Sequence, residues 1–301
     1  MNAAGRLAAF GTGLAVAFAG AYAAAGAIVP ESAVTTWQQQ AAAHADMPGM
    51  DHDSGPTGLS LGQGGYTLGP VRTPPTTAAP GELSFAILGA DGTPLRDYDT
   101  THDRDLHLIA VRSDGAQFRH AHPRLDRQTG VWSLPWRWDS AGTYRVFADF
   151  QPAEAPALTL SRTVQVAGDF NPIEAGPVRR TAEVDGFTVT LRGDLTPGAT
   201  EELTVEFARD GRPVTDLQPY LGAFGHLVAL RDGDLAFLHA HPDGAEPTAD
   251  HRGGPTVTFA TQAPTAGRYL LYLDFQVDDQ VRTATFVVDT AHRHVGEDEH
   301  S

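Results

Sequence analysis

At 301 residues the chain has room for two domains of ordinary size plus flanking segments. Its net charge of −16 argues against a nucleic-acid partner, because no basic stripe is present to displace phosphate counterions. The absence of cysteine excludes disulfides, thiolate metal sites and cysteine nucleophiles, and leaves histidine, methionine and carboxylates as metal ligands.

The chain opens with Arg6 followed by an uncharged run, Leu7 to Val29, ended by Pro30. The run reaches the roughly 20 residues that a bilayer span needs. It is rich in Ala and Gly and holds the small-x-small sequence Ala21-Tyr22-Ala23, a cleavage signal. Residues 1–30 are therefore read as a signal peptide or a transmembrane anchor, forming a hydrophobic helix. The positive charge precedes the run, so the remainder is expected outside the cytoplasm, secreted or anchored to the cell membrane.

Residues 31–58 are polar and small, with Gln38-Gln39-Gln40 and an Ala run, and read as a disordered linker. Inside it His44, Met47, Met50 and His52 lie close together, and apart from Met1 these are the only methionines. Thioether and imidazole together suit copper, with methionine favouring Cu(I). The alternative is a low-complexity tether that happens to carry them.

Two units of similar plan follow, at 59–168 and 178–290. Gly65-Tyr66-Thr67-Leu68 answers to Gly186-Phe187-Thr188-Val189, and Asp91-Gly92-Thr93-Pro94 to Asp210-Gly211-Arg212-Pro213. Short alternating segments with a turn every ten or so residues predict an all-β chain of two tandem immunoglobulin-like β-sandwich domains. Asp139-Ser140-Ala141-Gly142-Thr143-Tyr144 resembles the tyrosine corner of such folds, and Tyr269 stands at the matching place of the second unit.

The most repeated stretch is His107 to Pro123, HLIAVRSDGAQFRHAHP, which returns as HLVALRDGDLAFLHAHP from His226 to Pro242. Nine of its seventeen positions are identical, against five of twenty in the strand region that follows. Each copy reads as a β-hairpin on a two-residue turn, at Asp114-Gly115 or Gly233-Asp234. In that register Ile109 faces His120 and His107 faces His122, and these side chains share one face with Val111 and Phe118. The second copy would gather His226, His239 and His241 in the same way. Each hairpin is thus a candidate tri-histidine metal site. The competing reading is a structural cluster whose rings each bind a separate backbone group.

Asp149 and Asp274 occupy matching places and point away from their own cores; each reads as a solvated strand-end acid or as a partner orienting a histidine. His102 and His251 have no counterpart in the other unit and read as surface residues. The tail, 291–301, carries His292, His294 and His300 among acidic residues and is expected to be disordered.

The Asp210–Val214 turn, the PYLGAFGHLV run of Pro219–Val228, the two His-Ala-His-Pro ends and the Ala-Gly-x-Tyr strands resemble those of exported actinobacterial proteins with tandem YtkA-like or FixH-like β-domains. That resemblance spans roughly Gly65 to Val288 and implies a metal-related role in the cell envelope. It carries over no ligand set. The expected function is a copper-binding buffer or carrier, with zinc as the second candidate metal and an envelope protein as a further partner. The alternative is a structural or protein-interaction module without metal. No Ser–His–Asp spacing or glycine-rich phosphate loop stands out, so an enzyme is not expected.

Overall fold

The computed structural model describes residues 58–291, apart from Ala79, His239 and Ala245. The N-terminal hydrophobic run, the segment with His44, Met47, Met50 and His52, and the tail from His292 lie outside the described residues. Every regular element among the described residues is a strand, and no helix there is long and apolar enough to cross a membrane.

The first half opens with β1 (Gly62–Gln63), β2 (Tyr66–Leu68), β3 (Gly81–Leu88), β4 (Tyr98–Asp99) and β5 (Leu106–Arg112). It is completed by β6 (Arg119–Ala121), β7 (Arg124–Asp126), β8 (Val131–Trp136), β9 (Gly142–Pro152) and β10 (Leu158–Val166). The second half begins with β11 (Thr181–Val184), β12 (Phe187–Arg192), β13 (Thr200–Arg209), β14 (Arg212–Pro213) and β15 (His226–Arg231). It ends with β16 (Phe237–Leu238), β17 (Ala240–Pro242), β18 (Thr256–Gln262), β19 (Arg268–Val277) and β20 (Gln280–Asp289).

Strand order repeats between the halves. The order β2-β3-β8-β7 returns as β12-β13-β18-β17, and β10-β9-β5-β6 returns as β20-β19-β15-β16. Each half is an antiparallel, immunoglobulin-like sandwich in which alternate side chains meet between two sheets. Leu83, Phe85, Trp132 and Val146 fill the first core, and Phe187, Val205, Phe259 and Leu271 the second. Both tyrosine corners close: the Tyr144 hydroxyl donates to the Ser140 carbonyl at 2.9 Å, and Tyr269 to Thr265 at 3.0 Å.

A third apolar cluster joins the halves. Ile109, Val111 and Phe147, on the outer face of the β5/β9 sheet, meet Val228, Leu230, Phe237, Leu270 and Tyr272. Phe118 lies flat on Tyr272, with ring centroids 4.1 Å apart and planes 4° from parallel. These strands are therefore covered on both faces, which is why β5 is buried at every position instead of at alternate ones. The same covering buries Asp274, which is 4% exposed, so the solvated reading of this acid is overturned. It does point away from its own core, as alternation requires, but that direction leads into the other half.

The first hairpin keeps the expected register, with Ile109 opposite His120, by an unexpected route. The Arg112 N–H reaches the Ala116 carbonyl across a three-residue loop, and Gln117 adopts φ +57. A longer loop and a one-residue bulge at Gln117 together reproduce the pairing of a two-residue turn. The second hairpin departs from expectation. Ala229 pairs with Leu238, as a Gly233-Asp234 turn would dictate, but pairing with β15 stops there. The chain then crosses to the facing sheet, where His241 lies opposite Ala260 of β18. His241 is thus on a strand of the other sheet and is not opposite His226, whose backbone faces Asp274. In the first half the crossing comes later, since β6 stays paired with β5 through Ala121.

Candidate metal centre

His107 lies on β5, and β6 with the residue after it carries His120 and His122. One ring nitrogen from each of the three lies within 4.8 Å of the others, in the cleft between the halves. Nδ1 of His107 is 3.0 Å from Nε2 of His120 and 3.3 Å from Nε2 of His122. Three imidazoles bound tetrahedrally at about 2.0–2.1 Å from one ion place their nitrogens about 3.3 Å apart and their ring centroids about 5 Å apart. The centroids here are 5.2, 5.1 and 4.8 Å apart.

The outer nitrogens decide the tautomers. His107 donates from Nε2 to the Thr101 carbonyl at 3.1 Å, so its Nδ1 carries the lone pair. His120 donates from Nδ1 to the Asp274 carboxylate at 3.0 Å, which leaves the lone pair on Nε2. With both rings neutral, two lone pairs face each other at 3.0 Å, an arrangement that calls for a cation between them, either a metal ion or a proton that makes His120 the ion-pair partner of Asp274. Carbonyl and carboxylate partners on the far nitrogen are the usual supports of metal-ligating histidines.

Burial keeps two of the three rings, His107 and His122, neutral. Desolvation, then repulsion from His120, pushes His107 down to about 4 and His122 down to about 2. Removing water disfavours imidazolium, and a positive charge close by adds to the effect. At neutral pH His107 and His122 are thus without an extra proton.

The second half contributes more than packing. The Asp274 carboxylate, on β19, takes the His120 N–H and also accepts the Thr283 hydroxyl at 2.6 Å. The side chains of His120 and Asp274 are 4% and 6% exposed, so their contact is shielded from water. Asp149 makes the equivalent bond to Thr159, at 2.7 Å. The second half's His226 is anchored like His107, donating from Nε2 to the carbonyl six residues earlier, Tyr220, at 2.9 Å. Its ring stacks near that of His107, at 6.1 Å and 30°.

The triad of the first hairpin is brought together, with His226 of the second beside it. Reading His102 as a surface residue missed its place, for its ring is 5.4 Å from that of His226. His251 is exposed. The signal for Asp274 was present in the sequence, since it and Asp149 occupy matching places opposite the leading histidines. Nothing in the local sequence marked His102, because its partners come from other strands.

No curated protein matches the chain in sequence. Among solved structures, the bacterial integrin-binding protein invasin overlaps at 12% identity and a TM-score of 0.21, over 74% of this chain and 39% of the invasin chain. A chimeric titin Z1Z2-Z1Z2 tandem overlaps at 17% identity and 0.19, over 75% of this chain and all of the titin chain. A putative membrane-anchored protein from Corynebacterium diphtheriae overlaps at 9% identity and 0.23, over 76% of this chain and 59% of that one. The fold assignment rests on the strand order itself. In sequence, residues 63–168 and 182–292 each match one family, a domain of unknown function designated DUF8832. These two copies account for most of the chain, and the protein belongs to the DUF8832 family.

Proposed function

We propose that the protein binds a divalent transition-metal ion through His107, His120 and His122 and serves outside the cytoplasm as a metal buffer or carrier. The observation that carries this reading is the pair of lone pairs, Nδ1 of His107 and Nε2 of His120, turned toward each other at 3.0 Å by acceptors on their far sides. A proton on His120 would bridge those two nitrogens alone, whereas Nε2 of His122 lies 3.3 Å from the same His107 nitrogen, supplying the third apex that a metal ion uses. Three neutral imidazoles suit Cu(II) or Zn(II). Copper is favoured by Met47 and Met50 between His44 and His52, a segment suited to capturing Cu(I) ahead of the sandwiches. The export reading rests on the uncharged run Leu7–Val29.

The test is titration of the full chain with Cu(II) and with Zn(II), beside a variant with His120→Ala and His122→Ala. The variant is expected to take up at least one ion fewer per chain. Equal uptake by both proteins refutes the triad as a site.

A further inference from the structure

The triad leaves part of the histidine cluster unused. Thr101 to Arg104 forms a tight turn, each end donating its N–H to the other's carbonyl, with His102 and Asp103 at φ +51 and +59. That is the type I′ conformation, normally taken by Asn-Gly or Gly-Gly, and a histidine there is held under backbone strain. The turn sets the His102 ring into the cleft between the halves, where Nδ1 is buried and has no hydrogen-bond partner among the described residues. Buried polar atoms without partners are rare enough to need a reason.

His226 supplies one. Its Nε2–H is committed to the Tyr220 and Leu221 carbonyls, at 2.9 and 3.0 Å, so Nδ1 holds the lone pair. The His102 and His226 rings are 5.4 Å apart and nearly perpendicular, close to the roughly 5 Å separation of two imidazoles sharing one tetrahedral ion. Both line a small cavity of about 60 Å³, together with His107, His120 and the Asp149 carboxylate. A space of that size exceeds the roughly 30 Å³ share of one water in the liquid, so it admits an ion with a water or two.

We propose a second cation position in this cavity, ligated by His102 from the first half and His226 from the second, with Asp149 offsetting its charge. The cleft would then hold two neighbouring ions, one on the triad and one bridging the halves. The proposal rests on the triad reading for the first ion, and the following experiment separates the two.

Cu(II) alone is added to the full chain and followed by electron paramagnetic resonance. Two adjacent Cu(II) ions couple magnetically, whereas ions on remote segments give isolated signals. The wild type is expected to show a coupled pair at saturation. His102→Asn, which suits the turn better than histidine, is expected to abolish the coupling and keep one isolated histidine-ligated signal. Coupling that survives in this variant, or that never appears in the wild type while the isolated signal does, overturns the second position and leaves the triad standing. If the isolated signal of the His102→Asn protein persists unchanged when His120→Ala and His122→Ala are added to it, both readings fail.

Discussion

Replacing Asp274 by asparagine tests the site at the residue that makes it a joint product of both halves. The carboxylate has two donors, the Thr283 hydroxyl at 2.6 Å and His120 Nδ1 at 3.0 Å. Asparagine keeps the shape but has only one oxygen. If that oxygen serves Thr283, the amide N–H₂ faces His120 and demands a lone pair at Nδ1. The proton then moves to Nε2 and blocks the metal position. Changes of this kind to the outer partner of a ligand typically weaken metal binding 10–100-fold, about 1.4–2.7 kcal/mol. Zn(II) affinity of the full chain is read by competition with a chromogenic chelator at pH 7, with metal-free thermal melts alongside to show that the variant folds. Ligands elsewhere in the chain are common to both proteins and cancel in the comparison. A folded variant whose affinity stays within twofold of wild type would refute the proposed role of Asp274.

Two further outcomes follow from the same geometry. His107 is held near 4 in the folded chain, against about 6.5 when unfolded, so between those values the unfolded chain binds the extra proton. Stability of the metal-free protein should thus be highest above pH 6.5 and fall as pH drops toward 4, as the depressed histidines His107 and His122 favour the unfolded, protonated chain. Urea unfolding across that range checks this, and a profile His107→Gln leaves unaltered would refute it. Phe237→Ala removes a ring that is 5% exposed and packs 5.6 Å from Phe147 across the cleft, at an expected cost of about 3–5 kcal/mol. Calorimetry should show one transition for wild type and two for the variant as the halves uncouple, and identical melts would refute the importance of that contact.

The sandwiches were legible because alternation, turn residues and repetition are local signals. Tyr144 and Tyr269 could be assigned to corners from the residues just before them, and the Ile109–His120 pairing followed from the turn even though the loop is longer than expected and Gln117 bulges. What local pattern could not reveal was that the histidine face of the first hairpin is covered by the second half. That covering converts Asp274 from an apparent surface acid into a buried acceptor and draws His102 inward. The second hairpin was misread for a related reason. Its copy of His-Ala-His-Pro is spelled identically, but whether a strand stays with its neighbour or crosses to the facing sheet depends on packing across the sandwich, which no run of seventeen residues encodes.

The hydrogen bond between Asp274 and His120 also bears on how this protein can be cut and recombined. A single repeat moved into another host would carry its rings without the anion that turns one of them, and its mate would keep the anion with nothing to turn. Duplication here has made each copy a working part of the other, so the smallest transferable piece is the pair.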